Sequence, residues 1–232
     1  MPRHVAVLIA ALALLAAGCG SDKSDTETAA TPAATGTATP ATPDLSNGCE
    51  KVDKPAPKDV GKIKKPTEKL DKSKTYVATV STNCGDFEIT LDAKRAPVTG
   101  GNFKYLADQK FFDGTTFHRI VKDFVIQGGD PMGTGEGGPG YTVVEAPPKD
   151  LTYDKGIVAM AKTQTDPSGA SGSQFFVVTG DGAAQLPADY ALLGEVTSGM
   201  DAVDKINGIQ ADSNTGQPAF TVVIKSITVA EK

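Results

Sequence analysis

Large apolar side chains are almost missing between residues 20 and 48 and become dense only after Lys74, so a buried core has to be built from the later part of the chain. Thr, Ala, Pro, Ser and Asp dominate the earlier stretch, and such a segment buries too little to offset the entropy of ordering it. It reads as a disordered tether. The segment from Cys49 to Ser73 continues it, with Pro55, Pro57 and Pro66 favouring extended backbone, the alternative being that it packs on the domain near Cys84 if that residue is bonded to Cys49. Nine Lys against four acidic residues between Lys51 and Lys74 read as a solvated linker, the alternative being weak attraction to anionic lipid headgroups. The expected organisation is a leader over 1–18, a tether over 19–73 and a folded domain over 74–232. The whole chain of 232 residues has a formal charge of −5, which gives no general affinity for nucleic acid.

After Lys74 the texture is that of a β-rich domain. Residues 76–82 alternate roughly and read as a strand, 83–86 as a turn, and 87–91 as the returning strand of a hairpin. Pro97 suits the first turn of a helix that continues through Val98, Phe103, Tyr105 and Leu106. Gly100 and Gly101 fall inside it at up to about 1 kcal/mol each, so the helix must lean on packing. Further short strands are expected over 116–121, 124–127, 157–161, 174–179, 191–196 and 220–229, with a second helix over 200–206. About eight strands, two helices and Gly-rich turns suggest a closed antiparallel barrel, since closure removes exposed edges. Periodicity by itself does not separate a barrel from a sandwich.

The first residues belong to a different pattern. Arg3 and His4 precede an apolar run, Val5 to Ala17, that is too short for an ordinary spanning helix and reads as a signal peptide. Its ending, Leu15-Ala16-Ala17-Gly18-Cys19, resembles the lipobox of bacterial lipoproteins, with Ala16 where Leu is commoner. The resemblance implies a lipid on Cys19, an anchor on the outer face of a cell membrane, and cleavage just before that residue; plain secretion is the alternative. If lipid consumes Cys19, Cys49 and Cys84 remain in an oxidising compartment and are expected to pair, the other possibility being two thiols.

Three blocks carry a second resemblance. Phe117-His118-Arg119-Ile120 is followed by Asp123-Phe124-Val125-Ile126-Gln127-Gly128-Gly129-Asp130, then by Gly156-Ile157-Val158-Ala159-Met160-Ala161, then by Gly172-Ser173-Gln174-Phe175-Phe176. In this order they resemble the cyclophilins, over about residues 75 to 231. The resemblance implies an eight-stranded antiparallel barrel capped by two helices and a peptidyl-prolyl cis/trans isomerase working on Pro-containing polypeptides, as a monomer. It implies that Arg119, Phe124 and Gln127 are catalytic, and that Val125, Ala161, Gln174, Phe176, Leu186 and Tyr190 bind substrate. Tyr190 replaces a frequent His of the family, Val125 a frequent Met, and the loop from Lys162 to Ala170 is longer than usual.

The chemistry explains the residue types. Rotation about an X-Pro bond faces a barrier of about 18–20 kcal/mol, while its two ends lie close in energy. No bond is made or broken, so no nucleophile, cofactor or metal is expected. A catalyst needs an apolar slot for the Pro ring and a fixed donor for the nitrogen lone pair that appears as the amide twists. A guanidinium, which keeps its charge, is such a donor. A non-catalytic module gripping Pro segments is the rival reading on the same fold. Gly133-Thr134-Gly135-Glu136-Gly137-Gly138 spells a dinucleotide fingerprint, but Pro139-Gly140 follows where a helix should start, so the run reads as a tight loop. His118 is expected on the face opposite Arg119 by simple alternation.

Overall fold

A computed structural model describes residues 44–232. The expected leader, the lipid site at Cys19 and the tether as far as residue 43 lie outside the described residues. Among the described residues, eight strands close a barrel: β1 (Tyr76–Thr82), β2 (Gly85–Leu91), β3 (Thr115–Val121), β4 (Val125–Asp130), β6 (Ile157–Met160), β8 (Phe175–Val178), β9 (Leu192–Ser198) and β10 (Val223–Glu231). Their order around the barrel is β1-β10-β3-β4-β8-β6-β9-β2, with every pairing antiparallel. A separate two-stranded sheet pairs β5 (Val143–Val144) with β7 (Ala170–Ser171), a feature too short to leave a periodic signal. Helix α1 (Pro97–Asp108) packs on β9 and β10, and α2 (Met200–Asn207) on β2, β3 and β4.

Alternation sorts the strand residues into two cores. One face of β3, β4, β6 and β8 sends Phe117, Ile120, Ile126, Val158, Met160, Phe175 and Val177 into a large cluster shared with both helices. The aromatic rings there meet mostly edge to face, as Phe117 does with Phe175 at 5.8 Å and 80°. The other face sends Val125, Ala159, Phe176 and Val178 into a smaller cluster outside the barrel. That second cluster is the one that builds the site.

Residues 49–73 follow the alternative reading, packing on the domain with Cys49 bonded to Cys84 in place of continuing a disordered tether. They form no helix or strand, yet they run along the barrel as a strap held at separate points. Cys49 is bonded to Cys84, which lies in the β1–β2 turn, with 4.2 Å between the two Cα atoms. The Glu50 amide donates to the Asn83 carbonyl at 2.8 Å, and the Asn83 side-chain amide donates back to the Glu50 carbonyl at 2.7 Å. The Lys58 amide donates to the Pro131 carbonyl at 2.8 Å. The Lys58 ammonium donates to the carbonyls of Lys110, Phe111 and Asp113 at 2.7, 3.2 and 3.3 Å. Val60 and Ile63 pack on the main core, and Leu70 is buried in it.

The two glycines inside α1 receive the strap. A Cβ at Gly100 would overlap the Leu70 side chain, and one at Gly101 would stand 2.5 Å from the Glu68 carbonyl oxygen. The Leu70 amide donates to the Pro97 carbonyl at 3.0 Å. The helix therefore gives up intrinsic propensity at these two positions for a close seat, which local sequence reasoning registers only as weakness.

Candidate active site

The barrel register sets three side chains in a row. Arg119 of β3 is opposite Gln127 of β4, and Gln127 is opposite Phe176 of β8. Ala159 of β6 continues the row beside Phe176. Cross-strand partners face the same side of a sheet, so this row spans about 10 Å of outer wall. Arg119 and Gln127 line a cavity of about 630 Å³, whereas Gln127, Ala161 and Gln174 line a neighbouring one of about 480 Å³. Gln127 thus stands between the two.

The apolar slot belongs to the second cluster. Phe176 and Val125 are buried in it, and the partly exposed Phe124, Ala161, Leu186, Ala188 and Tyr190 pack around them. Val125 exposes only 3% of its surface and forms the floor of the cluster. Phe176 meets the Tyr190 ring edge to face at 5.4 Å and 88°. Tyr190 is fixed by Tyr153, a fully buried residue whose hydroxyl donates to the Tyr190 carbonyl at 2.8 Å and accepts from its amide at 3.0 Å. Burial raises the Tyr153 pKa, so the hydroxyl stays protonated and can do both.

Tyr153 was not singled out by sequence reasoning. The only local signal is the alternation Leu151-Thr152-Tyr153 in a Pro- and Asp-rich stretch. Lys162 was missed as well. Its ammonium is 2.7 Å from the Asp189 carboxylate and 5.6 Å from the Tyr190 ring centre, which ties the long 162–170 loop to the rim of the slot.

A chain of amides supports the row from the other side. Gln127 donates to the Gln174 carbonyl oxygen at 2.9 Å, and Gln174 donates to the carbonyls of Gly135 and Gly137 at 2.8 and 2.9 Å. The same glycine loop is gathered by Asp130, whose carboxylate accepts from the amides of Met132, Thr134 and Gly135 at 2.8, 2.9 and 2.6 Å. Burial pushes that carboxyl up, but the surrounding amides together outweigh it and hold it below the usual carboxylate range. The run of glycines is thus a loop clasped by one anion, with φ of +66° at Gly133 and +90° at Gly135.

Arg119 itself is half-buried and forms no ion pair among the described residues. His118 departs from the expectation of opposite faces. The β3–β4 register shifts between Phe117 and Arg119, a bulge that interrupts the alternation, and both His118 and Arg119 line the same cavity. Burial holds His118 below the ordinary histidine range. The Asp130 carboxylate opposes this, as does the Thr116 carbonyl, which attracts the protonated ring without meeting hydrogen-bond geometry.

Residues 77–229 match the family model described as "Cyclophilin type peptidyl-prolyl cis-trans isomerase/CLD". The chain is 37% identical over 171 residues to "Probable peptidyl-prolyl cis-trans isomerase A" of Mycobacterium leprae, covering 66% of this chain and 91% of that one. It is 37% identical over 170 residues to "Peptidyl-prolyl cis-trans isomerase B" of Streptomyces anulatus, covering 66% and 95%. A crystal structure of a cyclophilin-type isomerase of Cryptosporidium parvum in the presence of the dipeptide Ala-Pro superposes with a TM-score of 0.62 at 31% identity, covering 67% of this chain and 99% of that chain. With its barrel, its matched segment and these relatives, the chain belongs to the cyclophilin-type peptidyl-prolyl cis/trans isomerases and catalyses the rotation of X-Pro peptide bonds.

Proposed function

We propose that this isomerase assists the folding of exported proteins from the outer face of a membrane, held by a lipid on Cys19, and that the row Arg119–Gln127–Phe176 is its catalytic surface. The lipobox-like ending at Cys19 and the Cys49–Cys84 bond, a feature of oxidising compartments, support the location. The observation that carries the site is the Arg119 guanidinium, without an ion pair among the described residues, in register with Gln127 and Phe176.

The Pro ring lies against Phe176, bordered by Phe124, Leu186 and Tyr190, which binds both planar isomers alike. As the amide twists, its nitrogen becomes pyramidal and gains a lone pair that the planar amide lacks. Arg119 donates to that lone pair, so the bond exists only near the top of the barrier, where stabilisation raises the rate. Gln127, held by Gln174, fixes the backbone before the Pro and keeps the guanidinium aimed. A small X-Pro ligand suits the site, since the Cryptosporidium relative was crystallised with Ala-Pro.

Exchange spectroscopy on a short X-Pro peptide tests the site. Arg119→Ala is expected to lower kcat/KM by about 10²–10³-fold, the scale of losing one preorganised donor, with an unaltered melting temperature. An unchanged rate overturns the assignment of Arg119. For the location, full-length protein made in a bacterial host should sediment with membranes, and Cys19→Ala should release it; equal sedimentation of both rejects the anchor.

A further inference from the structure

The cavity beside Arg119 is lined by two cations, Lys54 and Arg119, and by no anion among the described residues. The Asp130 carboxylate stands behind the cavity's glycine loop, taken up by the amides of Met132, Thr134 and Gly135. The neighbouring cavity carries both signs, with Lys162 against Glu136 and Asp166. Lys54 comes from the strap, outside the segment 77–229 that matches the family, so the matched domain does not supply this charge. Lys54 is exposed, but the backbone that carries it is held on both sides. Four positions before it Glu50 is pinned to Asn83 through two hydrogen bonds, and four positions after it Lys58 is pinned to Pro131. Pro55 and Pro57 stiffen the span between. Lys54 itself makes no ion pair among the described residues.

We propose that this cavity is a subsite for a carboxylate side chain of the substrate, within two residues of the X-Pro pair, and that Lys54 of the strap is the specificity residue that reads it. The inference rests on the peptide lying along the Arg119 row, since the same wall forms one side of the cavity. Two cations on the lining, with the Asp130 carboxylate already engaged by the amides of the glycine loop, favour an anion there and disfavour a cation, whichever isomer is bound. The effect therefore falls on binding rather than on the twisted state.

The test uses the full-length chain and X-Pro peptides that differ only by Glu or Gln, placed in turn at each of the two residues before and after the X-Pro pair. At one position the ratio of kcat/KM for Glu over Gln should be about two- to fivefold, the scale of one solvent-facing ion pair. The difference should lie in KM, and it should vanish in 1 M salt, where screening acts within about 3 Å. In Lys54→Gln the ratio should fall to about one, and in Lys54→Glu below one. A ratio near one at all four positions, or a preference that survives Lys54→Gln, overturns the subsite and leaves the isomerase site standing. Absence of turnover on every peptide overturns the catalytic row as well.

Discussion

In the wall of β3, β4 and β8 the chain is fixed continuously by ladder hydrogen bonds along each strand, and in β4 and β8 also by an apolar cluster on either face. The strap over 49–73 has neither, and is held by one disulfide, a few backbone contacts and three apolar side chains. The two regions meet at the cavity beside Arg119, to which each contributes a cation. Under the proposed mechanism the difference teaches a division of labour: continuous pairing would give the aim that the Arg119 donor needs, and separate pins would suffice to add a charge at the rim. Perturbing the strap should move stability and charge selectivity, whereas perturbing the outer wall should move rate.

The largest effect expected is on stability. Replacing both Cys49 and Cys84 by Ser opens a loop of 35 residues, worth about 3–4 kcal/mol in the chain-entropy account, measurable by urea unfolding. The rate on a neutral X-Pro peptide should hold. A loss below about 1 kcal/mol would mean that the strap leaves before the barrel unfolds, which sharpens the comparison into two separate units. Leu70→Ala empties the seat over Gly100 and should cost about 2–3 kcal/mol, at the low end for a buried Leu, again with the neutral rate kept. A matching fall in rate would show that the wall depends on the strap after all.

On the wall, Gln127→Ala should lower kcat/KM by about tenfold, or about 1.4 kcal/mol, with little change in unfolding midpoint, since the main cluster lies on the other face. The smallest effect concerns His118. Its folded pKa is depressed by burial, so the unfolded chain takes the proton more readily. The stability it adds is complete above the ordinary value near 6.5 and declines as the pH falls below it, by at most about 1.4 kcal/mol per pH unit. Unfolding midpoints at pH 7 and 5 should differ less in His118→Asn than in the parent; equal differences would show that the bulge does not bury the ring.

Much of the barrel could be read from alternation. β1 was bounded correctly, β3 and β6 to within one residue, and α2 to its last residue, because one buried face per strand forces a period of two. The residues proposed for the site stand in blocks that are legible in the sequence, but the way they are held is not. Tyr153 is invisible because its partner, the Tyr190 backbone, is 37 residues away. His118 was placed on the wrong face because a bulge leaves no mark in composition. For the strap, only the packing near Cys84 is legible; its other anchors are single residues, and its seat consists of glycines, whose contribution is the side chain they lack.

The bridge between Cys49 and Cys84 also fixes how the molecule bears a load. A pull on residues upstream of Cys49 enters the barrel through the β1–β2 turn and bypasses the strap over residues 50–73. Tension would therefore be borne by the hairpin and its neighbours, while Val60, Leu70 and the Lys54 span stay slack. A protease cut within the strap would likewise leave the upstream chain attached to the isomerase.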